Sequence, residues 1–132
     1  MVTRIVEKIS ELTLIASPEA PGLARRFVAD TLDRLGQACS VEDAQVITSE
    51  LVTNALTETL KVSPSAVIAT HVGLHLGKPV LEVWDCSANP PAAEGDDLYA
   101  TSGRGLMITQ ALSAEWGYEI TNDGKVVWAL LK

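Results

Sequence analysis

Hydrophobic and polar positions recur along this chain with two different periods. Over residues 18–35 and 41–59 the apolar residues return every three to four positions, which is the spacing of one buried face of a helix. Segments 65–76 and 79–86 place apolar residues at every second position, as in a strand, and the short apolar segment 11–16 is also predicted to be a strand. The pattern therefore predicts a strand, two helices and two further strands.

Residues with strong positional preferences predict where these elements begin and end. The Ser-Pro pair at 17–18 predicts an N-cap followed by proline at the first helical position, and Gly36 predicts the end of that helix. Residues 40–43 resemble a capping box, with Asp in place of Glu or Gln, at the start of the second helix. Pro64 is expected to end that helix, and the Gly-Lys pair at 77–78 to join the two strands.

The last third of the chain predicts a loop, a helix and a hairpin. Residues 87–102 are rich in Pro, Gly and Asp, and this loop is long enough to suspect a lid over a site. From Gly105 the chain becomes helical again. The apolar positions assigned to this helix are Leu106, Ile108, Leu112 and Trp116. Strands over 116–121 and 125–131, with a turn at 122–124, close the chain.

This order of elements predicts the α+β class. We expect a two-layer sandwich, in which a mostly antiparallel sheet carries the helices on one face. The chain has 132 residues and is 47% hydrophobic, so we expect a single domain over residues 1–132. The last strand is apolar on both faces, which predicts a homodimer that covers the second face. The residues concerned are Val127, Ala129 and Leu131 on one face and Val126, Trp128 and Leu130 on the other.

Charge and cysteine content narrow the classes of function. The net charge is −7 and the isoelectric point is about 4.7, which argues against direct binding to nucleic acid or to an anionic membrane. Cys39 and Cys86 lie far apart, so we expect reduced thiols rather than a disulfide. The first ten residues lack the apolar run of a signal peptide, and no stretch reaches the roughly 20 apolar residues of a membrane span, so we expect a cytoplasmic protein.

Glu50 and Asn54 are candidates for chemistry on the second helix. Residues four apart project from the same face of a helix. An amide oxygen can ligate Mg²⁺, and a neighbouring carboxylate can take a proton from an attacking hydroxyl or water. The same spacing also fits an ordinary solvated pair on a helix surface.

Two further candidates follow along the chain. Asp85 lies in line with Leu81 and Val83 at the end of a strand, where a buried carboxylate needs partners; it could equally end the strand in an Asx turn. Gly103 and Gly105 open a predicted helix, where backbone N–H groups attract phosphate, although the segment also fits a flexible loop end.

In this order and spacing, three segments resemble the motifs of the GHKL superfamily of ATP-binding domains, which share the Bergerat-type fold. Residues 49–55 (SELVTNA) match its N-box, residues 83–87 (VWDCS) a variant of its first glycine box, and residues 103–106 (GRGL) its second. The closer resemblance is to small anti-sigma-factor serine/threonine kinases and related actinobacterial regulators. Their final hairpin resembles residues 123–128 (DGKVVW).

The resemblance implies a role for each matching residue. Glu50 is expected to be the general base and Asn54 the Mg²⁺ ligand, while Asp85 accepts the exocyclic amine of adenine in ATP. The other implied nucleotide-binding residues are Ser87, Gly103, Arg104, Gly105 and Leu106. The implied partners are an anti-anti-sigma protein of the STAS type, phosphorylated on Ser or Thr, and a sigma factor.

The sequence also departs from that family pattern. Glu58 stands where a His often follows the N-box, Ser87 and Asn89 replace glycines of larger members, and Thr101 replaces a frequent Arg. These departures favour an alternative, a regulator that keeps the fold and acts by holding a partner with little turnover. A sensor histidine kinase fragment is a weaker alternative, because no helical segment for dimerisation and phosphoacceptance is recognisable and neither His71 nor His75 lies on a predicted helix.

Overall fold

Eight helices and strands of the described chain follow one another in the order that the hydrophobic pattern predicts. The protein is represented by a computed structural model that describes residues 6–37, 39–63, 66–91 and 101–132, without the side chains of 101–105. The elements are β1 (Glu7–Ile15), α1 (Ala20–Leu35), α2 (Val41–Val62), β2 (Val67–His75), β3 (Lys78–Asp85), α3 (Thr101–Leu112), β4 (Ser113–Thr121) and β5 (Gly124–Leu131). The predicted α+β class is confirmed.

The five strands form one antiparallel sheet in the order β1-β2-β3-β5-β4. One row of paired residues crosses the whole sheet on the face that packs against the helices: Leu12, Thr70, Val83, Val127 and Tyr118. Helix α2 packs against β2, β3 and β5, while α1 and α3 flank it. The core therefore lies between α2 and the centre of the sheet, as the sandwich predicts.

The beginning of α1 differs from the prediction. The helix starts at Ala20 after Glu19, which makes no side-chain capping bond, and Pro21 rather than Pro18 occupies its first turn. The carbonyl of Ser17 accepts a hydrogen bond from the Ala20 N–H at 3.0 Å, so Ser17 begins a turn and not the helix. Proline still occupies the first turn, where a helical N–H needs no acceptor, but the residue is Pro21, three residues later than predicted.

The other helix boundaries agree more closely with the sequence. Gly36 ends α1 in the left-handed conformation, with φ 62°, and Ser40 Oγ accepts a hydrogen bond from the Asp43 N–H at 3.1 Å. Helix α2 continues to Val62, three residues beyond its predicted end. Pro64, the predicted helix breaker, lies outside the described residues.

The hairpin between β2 and β3 turns one residue earlier than predicted. Leu76 and Gly77 have φ values of 52° and 81°, so they occupy the two central positions of a type I′ turn. Leu76, which the alternation over residues 65–76 places on the same face as Ile68 and Val72, is consequently 91% exposed, whereas those two residues are buried. Tight pairing of His75 with Lys78 sets this register.

Two boundaries around α3 differ from the prediction. The helix starts at Thr101, four residues before the predicted start at Gly105, and Gly103 and Gly105 lie within its first turns. Trp116, assigned both to the helical stripe and to the strand 116–121, lies on β4, because the chain turns directly from Leu112 into the strand. Most of the predicted lid, residues 92–100, lies outside the described residues.

Gly124 brings β5 unusually close to the end of β3. A Cβ atom on Gly124 would lie 1.9 Å from the carbonyl oxygen of Asp85, a distance no side chain can occupy. This approach pairs Lys125 directly with Asp85 across the two strands. The end of β3 is thereby fixed beside the first residues of β5.

Two further predictions, on the cysteines and on membrane-spanning helices, concern the described residues. Cys39 and Cys86 are free thiols, as predicted. None of the described helices has the length and apolar character needed to cross a lipid bilayer.

Candidate functional site

Asn54 on α2 is buried although its side chain is polar. It is 5% exposed, and its Oδ1 has no hydrogen-bond partner among the described atoms. Buried acceptors are nearly always paired in folded proteins, so an orphaned one points to a ligand that supplies the missing contact. The interpretation of Glu50 and Asn54 as a solvated pair is therefore wrong for Asn54. Glu50, one turn earlier, is half-buried.

Asp85 is fully buried at the end of β3, with 0% exposure. Its Oδ1 accepts hydrogen bonds from the Ser87 N–H at 2.8 Å and from Lys125 Nζ at 3.0 Å. Its Oδ2 also lies 3.0 Å from Lys125 Nζ, but without the direction of a hydrogen bond. Oδ1 makes the Asx turn of one sequence interpretation, and Lys125 supplies the partner that a buried carboxylate needs.

The charges around Asp85 act in opposite directions. Burial raises the pKa of Asp85 above its usual value, and the negative charge of Glu58 raises it further. The hydrogen bonds from Lys125 and Ser87 and the charge of Lys125 lower it, without cancelling the effect of burial. Glu58 is itself 7% exposed and forms an ion pair of 3.3 Å with Lys61.

Helix α2 and the end of β3 form one region. Glu58 lies one turn after Asn54 and acts electrostatically on Asp85, and α2 packs against β3. Glu50, Asn54 and Glu58 therefore follow one another along the helix that covers the Asp85 end of the sheet. The structure thus brings two of the three predicted segments together.

The remaining predicted site residues differ in their burial and in the elements that carry them. Ser87 is 1% exposed, and its Oγ accepts a hydrogen bond from the Asn89 N–H at 3.2 Å, so it stabilises the turn that holds Asp85. Leu106 is 2% exposed and belongs to the hydrophobic core. Gly103 to Gly105 contribute backbone to the beginning of α3, which packs against α2, and the side chain of Arg104 lies outside the described part of the chain.

Lys125 is the residue that sequence reasoning missed. It is 0% exposed and is the largest fully buried side chain of the described residues. A signal was present, because Lys125 precedes Val127, Ala129 and Leu131 at the two-residue period of one strand face. A lysine in line with core positions requires a carboxylate partner, and Asp85 is the acid that showed the same pattern.

The donor set fits Mg²⁺ only together with a phosphate ligand. The described side chains include no cluster of three or more His, Cys, Asp or Glu that could hold a metal. Mg²⁺ in nucleotide sites is commonly held by one or two protein oxygens plus phosphates and water, and Asn54 Oδ1 offers such an oxygen. A surface cavity of about 420 Å³, lined by Phe27, Asp30, Asp33 and Arg34, lies on α1 and shares none of these residues.

Comparison with known proteins gives one matching family and solved structures with a similar fold. Residues 14–131 match the histidine kinase-like ATPase domain. No curated protein matches. The RsbU and RsbW domains of Rv1364c from Mycobacterium tuberculosis resemble this chain with a TM-score of 0.63 and 18% identity, over 94% of this chain and 32% of that one. The histidine kinase domain of the blue-light activated histidine kinase EL346 from Erythrobacter litoralis resembles it with a TM-score of 0.55 and 18% identity, over 84% of this chain and 59% of that one.

These findings differ in what they establish. The chain spans 32% and 59% of the two solved chains, and at 18% identity they show a common fold. The family match is broader, since it begins within β1 and ends at the last residue of β5. On that match the chain belongs to the family of histidine kinase-like ATPase domains, and this membership implies that it binds ATP.

Proposed function

We propose that this protein is an ATP-dependent serine/threonine protein kinase of the anti-sigma type, which phosphorylates a STAS-type anti-anti-sigma partner. The observation that carries the proposal is the pair of buried acceptors on α2 and β3 that receive no directed hydrogen bond, Asn54 Oδ1 and Asp85 Oδ2. One suits a hard cation and the other suits the amine of a base, which are the two ends of Mg–ATP. The similarity in fold to the RsbW-containing structure supports the choice of partner class.

Each residue then has a task in phosphoryl transfer. Glu50 takes the proton of the partner's Ser or Thr hydroxyl as that oxygen attacks the γ-phosphate and ADP leaves. Asp85 holds the base, and the backbone N–H groups at the start of α3, around Gly103 and Gly105, bind the phosphates. Asn54 would hold Mg²⁺, which neutralises phosphate charge when it is bound.

One observation favours a second function, a regulator that binds its partner with little turnover. Glu58 is buried one turn after Asn54, and its single described ion pair is with Lys61, whose side chain is largely exposed. An additional negative charge near a triphosphate weakens its binding. A protein with this arrangement would hold a sigma factor or a STAS protein without transferring phosphate rapidly.

Two measurements separate these functions. Calorimetric titration with Mg–ATP tests nucleotide binding, and incubation with radiolabelled ATP and candidate STAS proteins of the same organism tests transfer. The kinase requires both a binding isotherm and a labelled partner. A partner that binds tightly but is never labelled would instead support the binding regulator.

Asp85→Asn is expected to weaken ATP binding more than Glu50→Gln does. Asp85 contacts the base in the ground state, whereas Glu50 acts mainly in the chemical step. Loss of a hydrogen bond to a charged acceptor costs about 1.5–3 kcal/mol, which is roughly a 10- to 100-fold rise in Kd. Calorimetry on both variants checks this. Equal affinity in wild type and Asp85→Asn would remove Asp85 from the base site.

We also expect a homodimer. All three helices pack against one face of the sheet, and the apolar side chains Val126, Trp128 and Leu130 lie half-buried on the other face. A second copy would cover them. Light scattering should show a mass near twice that of the monomer at high concentration, and Leu130→Lys should shift it toward the monomer. A monomer at every concentration tested would contradict this expectation.

A further inference from the structure

Lys125 carries a buried charge that the proposed chemistry does not use. Its side chain is 0% exposed, and its Nζ lies 3.0 Å from both oxygens of Asp85 and 3.5 Å from the carbonyl oxygen of Ser87. Burying a lone ammonium group is costly, so a lysine at this position requires the carboxylate beside it. Because Lys125 is fully buried and its Nζ donates to Asp85 and to the Ser87 carbonyl, we infer that it acts on a ligand through Asp85.

The contacts of Lys125 give the two oxygens of Asp85 different roles. Lys125 Nζ and the Ser87 N–H both donate to Oδ1, at 3.0 and 2.8 Å. Two donors on one oxygen fix the plane of the carboxylate, and Oδ2 remains as the buried oxygen without a directed hydrogen bond. An ionised carboxylate can only accept hydrogen bonds, so Oδ2 faces a ligand purely as an acceptor.

We propose that Lys125 is a positioning residue for base recognition, an inference that rests on the proposed function. By holding Oδ1, it presents Oδ2 as an acceptor and makes the site select purine nucleotides with an amino group at position 6 over those with an oxygen there. The amine of adenine donates to Oδ2. The O6 atom of hypoxanthine or guanine would place two acceptors against each other, which leaves a buried polar group unpaired.

Removing Lys125 should make this selection depend on pH. Two charged side chains act on Asp85, Lys125 from β5 and Glu58 from α2, and burial together with Glu58 raises its pKa. Lys125→Met removes the opposing cation, so the Asp85 carboxyl binds a proton at pH values where the wild type is ionised. A protonated carboxyl donates to O6, so discrimination falls at low pH and returns as the pH rises through the raised pKa.

The test compares the Kd of Mg–ATP with that of Mg–ITP by calorimetry from about pH 6 to about pH 8.5. Wild type should prefer ATP by roughly 10- to 100-fold at every pH, the usual effect of one hydrogen bond to a charged group. Lys125→Met should bring the two affinities within about 3-fold at pH 6, with the ratio rising toward pH 8.5. Lys78→Met, which removes an exposed lysine at the other end of β3, should behave as wild type.

A second variant keeps the test valid if Lys125→Met folds poorly. Asp85→Asn with Lys125→Met removes both buried charges, so it should unfold at a higher temperature than Lys125→Met alone. Its ATP-to-ITP ratio should be low and independent of pH, because no titrating group remains.

The outcomes separate the inference from the function on which it rests. A wild-type ratio in Lys125→Met, unchanged across the pH range, would overturn the role of Lys125 and leave the proposed function standing. A wild-type ratio in the double variant would overturn the role of Lys125 and also remove Asp85 from the proposed base site. Absence of nucleotide binding in the wild type would overturn both.

Discussion

Replacing Asn54 with alanine is expected to abolish both the Mg²⁺-dependent tightening of ATP binding and phosphoryl transfer. Phosphoryl transfer depends mostly on positioning and on charge neutralisation by the metal, and the proposed function assigns the metal to Asn54 Oδ1, a buried oxygen without a hydrogen-bond partner among the described atoms. Titrations with ATP in the presence of Mg²⁺ and of EDTA measure the tightening directly. In the wild type the two affinities should differ, and in Asn54→Ala they should coincide.

The same substitution should not destabilise the ligand-free protein. A buried acceptor without a partner is unfavourable, with a typical desolvation penalty of about 1–3 kcal/mol, so its removal offsets the packing that is lost. Thermal unfolding without nucleotide should therefore be nearly unchanged in Asn54→Ala. Thr53→Ala is the matched control, since Thr53 lies at an exposed position of the same helical turn. If Asn54→Ala keeps a full Mg²⁺ effect while folded, Asn54 is not the ligand.

Local patterns predicted the elements of this fold well. The side-chain period on β3 placed Asp85 in line with Leu81 and Val83, and all three are buried on the face that packs against the helices. Gly36 and Ser40 fixed helix ends because each effect involves backbone groups only a few residues away. A boundary can be displaced where the strand pattern and the turn preference overlap. Here the turn forms at Leu76 and Gly77, one residue before the predicted pair.

The central contact of the candidate site could not be predicted in the same way. Lys125 meets Asp85 because β5 pairs with β3, forty residues earlier in the chain, and β4 is left at the edge of the sheet. Hairpins specify neighbouring strands, whereas this pairing depends on how the helices cover the whole sheet. The alternation on β5 carried a signal for a buried lysine that the sequence analysis missed, and strand order was needed to show that Asp85 is its partner.

Glu58 shows a further limit of sequence reasoning. Comparison of motifs marked it as a departure from the family pattern, at a position where a His often follows the N-box. In the fold it is buried, paired with Lys61, and close enough to Asp85 to raise the pKa of that carboxyl. Its electrostatic effect therefore reaches Asp85, the acid proposed to bind the base, and this follows from the packing of α2 on β3.

Glu50→Ala is expected to leave ATP bound and to lower the rate of phosphoryl transfer by on the order of 10²- to 10⁴-fold, the usual contribution of a general base. Glu50 is half-buried on α2, one turn before Asn54, so it can reach a partner's hydroxyl without being required for the base or the metal. Single-turnover transfer of radiolabelled phosphate to a STAS partner measures the rate, and calorimetry should give an ATP Kd within about 3-fold of wild type.

Glu42→Ala provides the control for charge, because it removes an exposed carboxylate from the first turn of the same helix. It should transfer phosphate at the wild-type rate, and Glu50→Gln, which keeps the shape but not the basicity, should be nearly as slow as Glu50→Ala.

Transfer at the wild-type rate in Glu50→Ala would show that another group accepts the proton, while the fold and ATP site would stand. If no partner is labelled by the wild type, yet one binds equally tightly to wild type and Glu50→Ala, the carboxylate has no chemical step to assist. The fold then acts as a binding regulator, with Glu58 the buried charge that accounts for its low turnover.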